Sequence, residues 1–306
     1  MTSADVAVAV SGLTKRFGDH AAVDDISFEV RRGEVFGFVG PNGCGKTTTI
    51  RMLCGILEPT AGTGYVLGRD CWRQAAEVKL LIGYMSQRFA LYDELTVDEN
   101  LSFYGKVYGL SDEAVGHRTT EFAERMGLAR IRGSQAGAIG SGLRQRLALG
   151  CSILHQPPVV FLDEPTSSVD PEARRGFWDL IYALAADGAS ILVTTHNMDE
   201  AEYCHRLALM HEGRLVAVGT PDSLRACIGG VALEFAAMPL SVAADTLAVL
   251  PGVPPPTVLA DTIHVYVPPT LSEEFVLDRL ARAGVSFGNV VRTLPTLDDV
   301  FAVLLS

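Results

Sequence analysis

The chain has 306 residues, 48% hydrophobic and 20% charged, with a net charge of −11. That apolar content supports a packed core and excludes intrinsic disorder, while 36 acids against 25 cations argue against a general nucleic-acid surface. No run of 18 residues is both charge-free and mainly apolar, so no membrane span is expected, and the start, MTSADVAVAV, lacks the basic region of a signal peptide. Val6–Val10 and Ala22–Val30 read as strands by alternation, and Val35–Val39 as a buried strand running into glycines. A helix is predicted over Thr47–Leu57, with Ile50, Leu53, Cys54 and Leu57 at helical spacing. Residues 92–150 carry helical patterns only and read as an inserted helical subdomain. Val159–Leu162 and Ser190–Val193 are further buried strands. Between them, Asp170-Pro171 reads as an N-cap and first helical position and Gly188 as a stop. Strands alternating with helices predict a mainly parallel α/β sheet.

Composition shifts near residue 230, where Ile228-Gly229-Gly230 reads as a linker. Residues 231–306 hold 8 of the 15 prolines, and eight acids against three cations, Arg279, Arg282 and Arg292. Their pattern predicts β (231–236), α (240–249), β (262–267), α (272–283), β (286–293) and α (296–305), a small α+β module. The six cysteines form no CxxC pair and no rhythm with histidine, which favours reduced thiols over zinc ligation or a disulfide framework.

Gly40-Pro41-Asn42-Gly43-Cys44-Gly45-Lys46-Thr47 fits GxxxxGK[ST], with an apolar strand before it and a helix after. Glycines let several backbone N–H groups point at one phosphate, and the helix N-terminus adds positive potential. Lys46, one of only four lysines, is placed to reach the β/γ-phosphates, and the Thr47 hydroxyl to ligate Mg²⁺. Thr48 completes the nucleotide-contacting stretch. Cys44 reads as a small residue filling a variable loop position. A second site follows: Val159–Leu162 ends in Asp163 and Glu164. Beside a phosphate loop, Asp163 is the expected metal-side carboxylate, acting mostly through water. Glu164 is the candidate base that polarises a water for in-line attack on the γ-phosphorus.

Gln87, the run Ile139-Gly140-Ser141-Gly142-Leu143-Arg144-Gln145-Arg146, LDEPTSSVDP (162–171) and TTH (194–196) together resemble an ATP-binding cassette (ABC) ATPase over about residues 5–225. The wording TTHNMDEAE (194–202) and HEGRLVAVGTP (211–221) is similar to exporter subunits of the multidrug type whose membrane permease is a separate polypeptide. PTLDDVFAVLL (295–305) is similar to the accessory C-terminal module of that branch. The resemblance implies an α/β P-loop NTPase core with an antiparallel β subdomain and the helical insert (5–228), then the α+β module (231–306). It implies ATP and Mg²⁺ as ligands, hydrolysis by a head-to-tail homo- or heterodimer, and a permease partner that holds the chain on the inner face of the membrane. No nucleic-acid partner is expected. The alternative is a non-transport cassette ATPase acting on a macromolecular partner; the 56 residues from Gln87 to Leu143 are too few for the long coiled coil many of those carry.

Carried onto matching positions, Phe17 would stack on adenine, where the family more often has Tyr. Gln87 would sense the γ-phosphate and Mg²⁺ at the hinge to the helical insert. Asp170 would lie at the dimer interface as well as capping a helix. His196, 33 residues past Asp163, would contact the γ-phosphate and position Glu164. The family signature normally reads Leu-Ser-Gly-Gly-Gln; alignment through Arg144-Gln145-Arg146 puts Gly140 at the serine position, with Ser141 one place late and Gly142 intact. The expectation is that Ser141 partly substitutes or that turnover is slow, unless a partner subunit carries a regular signature.

Overall fold

Two sheets of different character organise the first part of the chain. His20–Arg31, Val6–Phe17, Ala61–Val66 and Arg69–Asp70 form, in that order, an antiparallel sheet. Its first strand shows the period of 2 that one-sided burial demands, with Ile26, Phe28 and Val30 inward and Ser27, Glu29 and Arg31 outward. The second sheet includes, side by side in this order, Arg206–His211, Val35–Val39, Ser190–Thr195, Val159–Asp163 and Ile82–Met85, every neighbouring pair among these five parallel. Its three central strands are buried at every residue, which explains their continuous apolar runs. Phe28 of the first sheet stacks on Phe36 at 5.6 Å and meets Phe38 edge-on at 4.9 Å. Each buried ring contributes about 2–3 kcal/mol of burial.

The computed structural model describes residues 5–87, 90–167 and 169–305. It divides into two compact units, Met1–Leu215 and Val216–Ser306. Between the strands Ile82–Met85 and Val159–Asp163 lie the helices Val97–Val107, Asp112–Arg125 and Ser141–Ile153, the expected helical insert. Thr96 and Glu99 form a reciprocal capping box at the first of them. Buried Asn100 donates to the carbonyls of Tyr92, Leu95 and Thr96 and accepts from the Tyr92 N–H, which fastens the entering loop to the helix.

Two predicted elements differ. The helix expected to reach Leu57 spans Lys46–Leu53. Gly55 turns left-handed at φ +64°, and the Ile56 and Leu57 N–H groups reach back to the Arg51 carbonyl, closing the helix as a glycine C-terminus does. The tail strand expected over 286–293 is two short strands, Ser286–Phe287 and Val291–Thr293, both on Val231–Met238. Residues 288–290 oppose only Phe235 and Ala236, so one residue is extra and the strand bulges there.

On the other edge of Val231–Met238 come Thr262–Val267 and a short strand without a sequence forecast, Thr257–Leu259. One face packs Leu233, Phe235 and Val265 against Leu247 and Leu280 from the helices Leu240–Ala248 and Glu273–Arg282. The other face pairs Glu234 with His264. The helix Pro221–Ile228, assigned to the first domain by its position before the Ile228–Gly230 linker, packs on the last helix, Leu297–Leu305. The division therefore falls ahead of the predicted linker.

Candidate nucleotide site

Parallel register brings the ends of neighbouring strands to one edge: Val39 lies beside Thr195 and Asp163 beside Thr194. Loops leaving that edge carry the functional side chains, as is usual for open α/β sheets. The glycine-rich loop leaves Val35–Val39 and enters the helix at Gly45, φ +111°, with no side-chain cap on the first turn. Those first N–H groups are thus free to serve an anion. A Cβ on Gly40 would stand 2.1 Å from the Met210 carbonyl oxygen, so that position admits glycine alone. A cleft of about 470 Å³ opens on the loop, lined by His20, Ala22, Pro41, Asn42, Gly43 and Glu212 among others.

Lys46 is 4% exposed and donates to the carbonyls of Gly40 (2.7 Å) and Pro41 (3.0 Å). Its Nζ also lies 3.6 Å from Glu164 Oε1. Gln87 Nε2 donates to Glu164 Oε2 at 3.2 Å, and His196 Nδ1 stands 3.2 Å from the same oxygen. Sequence positions 46, 87, 164 and 196 therefore meet on one carboxylate. Glu164 itself sits at φ +49°, a left-handed conformation that costs a non-glycine residue about 1–3 kcal/mol. It is anchored there by its own N–H, which donates to the Thr194 hydroxyl at 2.9 Å.

Asp163 accepts from the hydroxyls of Thr47 (2.9 Å) and Thr194 (2.8 Å), both on Oδ1. Burial pushes its carboxyl above the usual range, although the two hydroxyl bonds oppose the shift. Its Oδ2 is buried with no hydrogen-bond partner. An unpaired carboxylate oxygen beside a threonine hydroxyl is the hard-oxygen donor set that Mg²⁺ takes, so the residues present fit that ion. Burial also raises the Cys44 thiol, ahead of the opposing pull of Lys46, which keeps it neutral. All six cysteines are free, and only Cys227 is exposed.

The remaining predicted residues lie apart. Among the described residues, Phe17, Gly140–Gly142 and Asp170 share no hydrogen bond or ion pair with this cluster. Phe17 ends its strand 52% exposed, with Lys15 Nζ 5.2 Å from its ring. Gly140 is the N-cap of Ser141–Ile153 and makes no side-chain cap, while Ser141 is exposed at the first helical position. Asp170 caps Pro171–Ala186 by accepting from the N–H groups of Glu172 and Ala173. A Cβ on Gly142 would meet Ala173 Cβ at 3.0 Å, so the starts of these two helices are close neighbours. Ser168, within the LDEPTSSVDP run, lies outside the described residues. Thr194 was not singled out; it belongs to the TTHNMDEAE run, which was the available signal.

Fold and site together define a P-loop nucleotide-binding cassette. The family model described as ABC transporter matches residues 23–167. The chain is 47% identical over 225 residues to the probable multidrug ABC transporter ATP-binding protein YbhF of Escherichia coli (strain K12), covering 74% of this chain but 39% of that protein. It thus spans about two-fifths of that relative's length. It is 37% identical over 304 residues to the daunorubicin resistance ATP-binding protein DrrA3 of Streptomyces coeruleorubidus, covering 97% and 95% of the two chains. A solved structure of an ATP binding subunit of an ABC transporter superposes with a TM-score of 0.65 at 31% identity, over 72% of this chain and 92% of that one. The chain belongs to the ABC transporter family.

Proposed function

We propose that this chain binds ATP with Mg²⁺ and hydrolyses it, powering export through a permease encoded as a separate polypeptide. The observation that carries the reading is the Glu164 carboxylate, contacted from three directions by Lys46, Gln87 and His196 at 3.2–3.6 Å. Those separations are longer than in a tight ion pair, and the carboxylate keeps acceptor capacity for a water. In this reading Lys46 exchanges its loop carbonyls for phosphate oxygens, and Thr47 with Asp163 holds the metal. Bound Mg²⁺ would neutralise charge developing on the phosphates. Glu164 takes the proton of the attacking water, His196 and Gln87 orient it, and Phe17 supplies the exposed ring for the base.

The export role rests on the relatives: a probable multidrug transporter subunit and a daunorubicin resistance protein. Among the described residues no helix is long and apolar enough to cross a membrane, and a transport role therefore calls for a partner that does. The surface offered to it is a groove of about 500 Å³ in the first unit, lined by Ile56, Leu80, Tyr84, Ala90, Tyr104 and Val107 among others. Leu80 and Val107 are more than 60% exposed there, and the groove connects the parallel-sheet core to the first helix of the insert. Docking on it holds the chain at the inner membrane face, with a second ATP-binding subunit closing over Gly140–Gly142 and Asp170. Glu164→Gln tests the chemistry: ATP hydrolysis falls at least about 100-fold while ATP binding persists and a closed dimer accumulates in size-exclusion runs with ATP. A wild-type rate in that variant removes Glu164 as the base.

A further inference from the structure

Glu200 is a carboxylate that the site above does not use, yet it is 3% exposed. It sits on the short helix Met198–Ala201, immediately after the His196 turn. Its Oε1 accepts from the Thr166 hydroxyl at 2.6 Å, and Thr166, itself 1% exposed, stands two residues past Glu164. The same oxygen has Arg174 Nε at 3.2 Å, an ion pair off the line of a hydrogen bond. Arg174 belongs to the first turn of the helix that Asp170 caps, and its N–H donates to the Asp170 carbonyl. One buried oxygen therefore joins three segments: the corner carrying Glu164, the turn carrying His196, and the helix start carrying Asp170. Glu164, His196 and Glu200 also line one small cavity of about 40 Å³.

A buried carboxylate held by a hydroxyl and a guanidinium is costly to place and stiff once placed. A plain core would use an apolar side chain here. The strained backbone at Glu164 needs such a brace, because left-handed conformations persist only where surroundings over-determine them. The geometry points to Glu200 as a positioning residue for hydrolysis: through Thr166 and Arg174 it keeps the Glu164 corner and the His196 turn in fixed relation. This rests on the hydrolysis reading above. A displacement of about 1 Å at a reacting group suffices for a large rate loss, so the effect belongs in kcat and not in nucleotide affinity.

The test uses Thr166→Val, which keeps shape and removes the donor, with Thr166→Ser as the conservative variant and Glu200→Gln alongside, all in the full chain. Steady-state ATPase, ATP binding by a fluorescent nucleotide and thermal melting are measured together. Thr166→Val lowers kcat roughly tenfold with KM for ATP and nucleotide affinity unchanged; Thr166→Ser restores the rate; Glu200→Gln, which still accepts from Thr166 but loses the ion pair, falls between. Melting within about 2 °C of wild type shows that the loss is not one of folded protein. An unchanged kcat in both Thr166→Val and Glu200→Gln, or a loss that tracks melting and is not rescued by serine, overturns the inference while leaving hydrolysis intact. A wild-type rate no higher than that of Glu164→Gln overturns the hydrolysis reading and this inference with it.

Discussion

Glu164 in the first unit and His264 in the second are both charge clusters in protein interior, and they are built to opposite rules. Glu164 is touched by three donors, none closer than 3.2 Å, beside an Asp163 oxygen with no partner at all. His264 is clamped: its Nε2 meets Asp299 Oδ2 at 2.8 Å and its Nδ1 meets Glu234 Oε1 at 3.0 Å. Asp299 in turn accepts from the Thr296 N–H and hydroxyl, so the last helix is tied to the sheet through satisfied bonds. The first cluster keeps bonding capacity in reserve for a ligand; the second has spent its own on structure. Asp163 and His264 have a raised pKa for contrary reasons. Burial disfavours the charged form of Asp163, whereas the hydrogen bond that His264 donates to Asp299 favours the charged imidazole over the opposing effect of burial.

The sharpest way to break this comparison is Asp163→Asn. The amide oxygen still accepts from Thr47 and Thr194, but the charge that would hold Mg²⁺ is gone. ATPase activity falls at least about 100-fold, while melting temperature stays level or rises because a buried charge has been removed. A drop in melting temperature would mean that Asp163 is a structural partner like Asp299. Chelating Mg²⁺ from the wild type abolishes hydrolysis to the same degree, without unfolding the chain.

His264→Ala should do the reverse. It strands Asp299 with only its Thr296 bonds and leaves Glu234, which is half exposed, to solvent. The expected loss is about 2 kcal/mol of stability, read by denaturant melts, with ATP affinity unchanged. The pH dependence follows from the same cluster. His264 gains its partner when protonated, so its contribution is full below about pH 6.5 and is lost as pH rises through its elevated folded value. Asp299 has its carboxyl lowered; burial opposes this, but the His264 and Thr296 bonds outweigh it. Its contribution is present above about pH 3.9 and is lost as pH falls through the folded value. Melts of His264→Ala should lack the alkaline loss; an unaltered pH profile would assign it elsewhere.

The difference between the clusters also governs what could be read from sequence. The phosphate loop was legible because its backbone needs glycine at set places, Gly40 for close approach and Gly45 for φ +111°. The central strands were legible because two-sided burial leaves a continuous apolar run. The meeting of Gln87, Glu164 and His196 was reached only through resemblance, since it depends on strand register across 109 positions and no local pattern encodes it. Thr194 was hidden for the same reason: its hydroxyl matters because parallel pairing sets it beside Asp163. In the tail, the Gly288-Asn289 turn signal was present but was read through as strand, and the bulge it marks was missed. His264 carried no motif, and its two carboxylates lie 30 and 35 residues away.

The smallest expected effect concerns the displaced serine of the signature run, where the open cluster's logic can be pushed one donor further. Gly140 adopts φ −65° and ψ 159°, ordinary for any residue, and an added Cβ there meets nothing within 4 Å. A serine therefore fits without strain, and as the N-cap its oxygen can accept from the first turn of Ser141–Ile153. Gly-to-Ser at an N-cap changes stability by only a few tenths of a kcal/mol, so any change in turnover reports on the nucleotide and not on folding. If a hydroxyl at position 140 reaches the partner-bound phosphate, Gly140→Ser/Ser141→Gly raises the ATPase rate about threefold, one added hydrogen bond being worth roughly 0.5–1.5 kcal/mol. An unchanged or lower rate shows instead that the Ser141 hydroxyl and the free N–H groups of that helix start already do what the regular serine would.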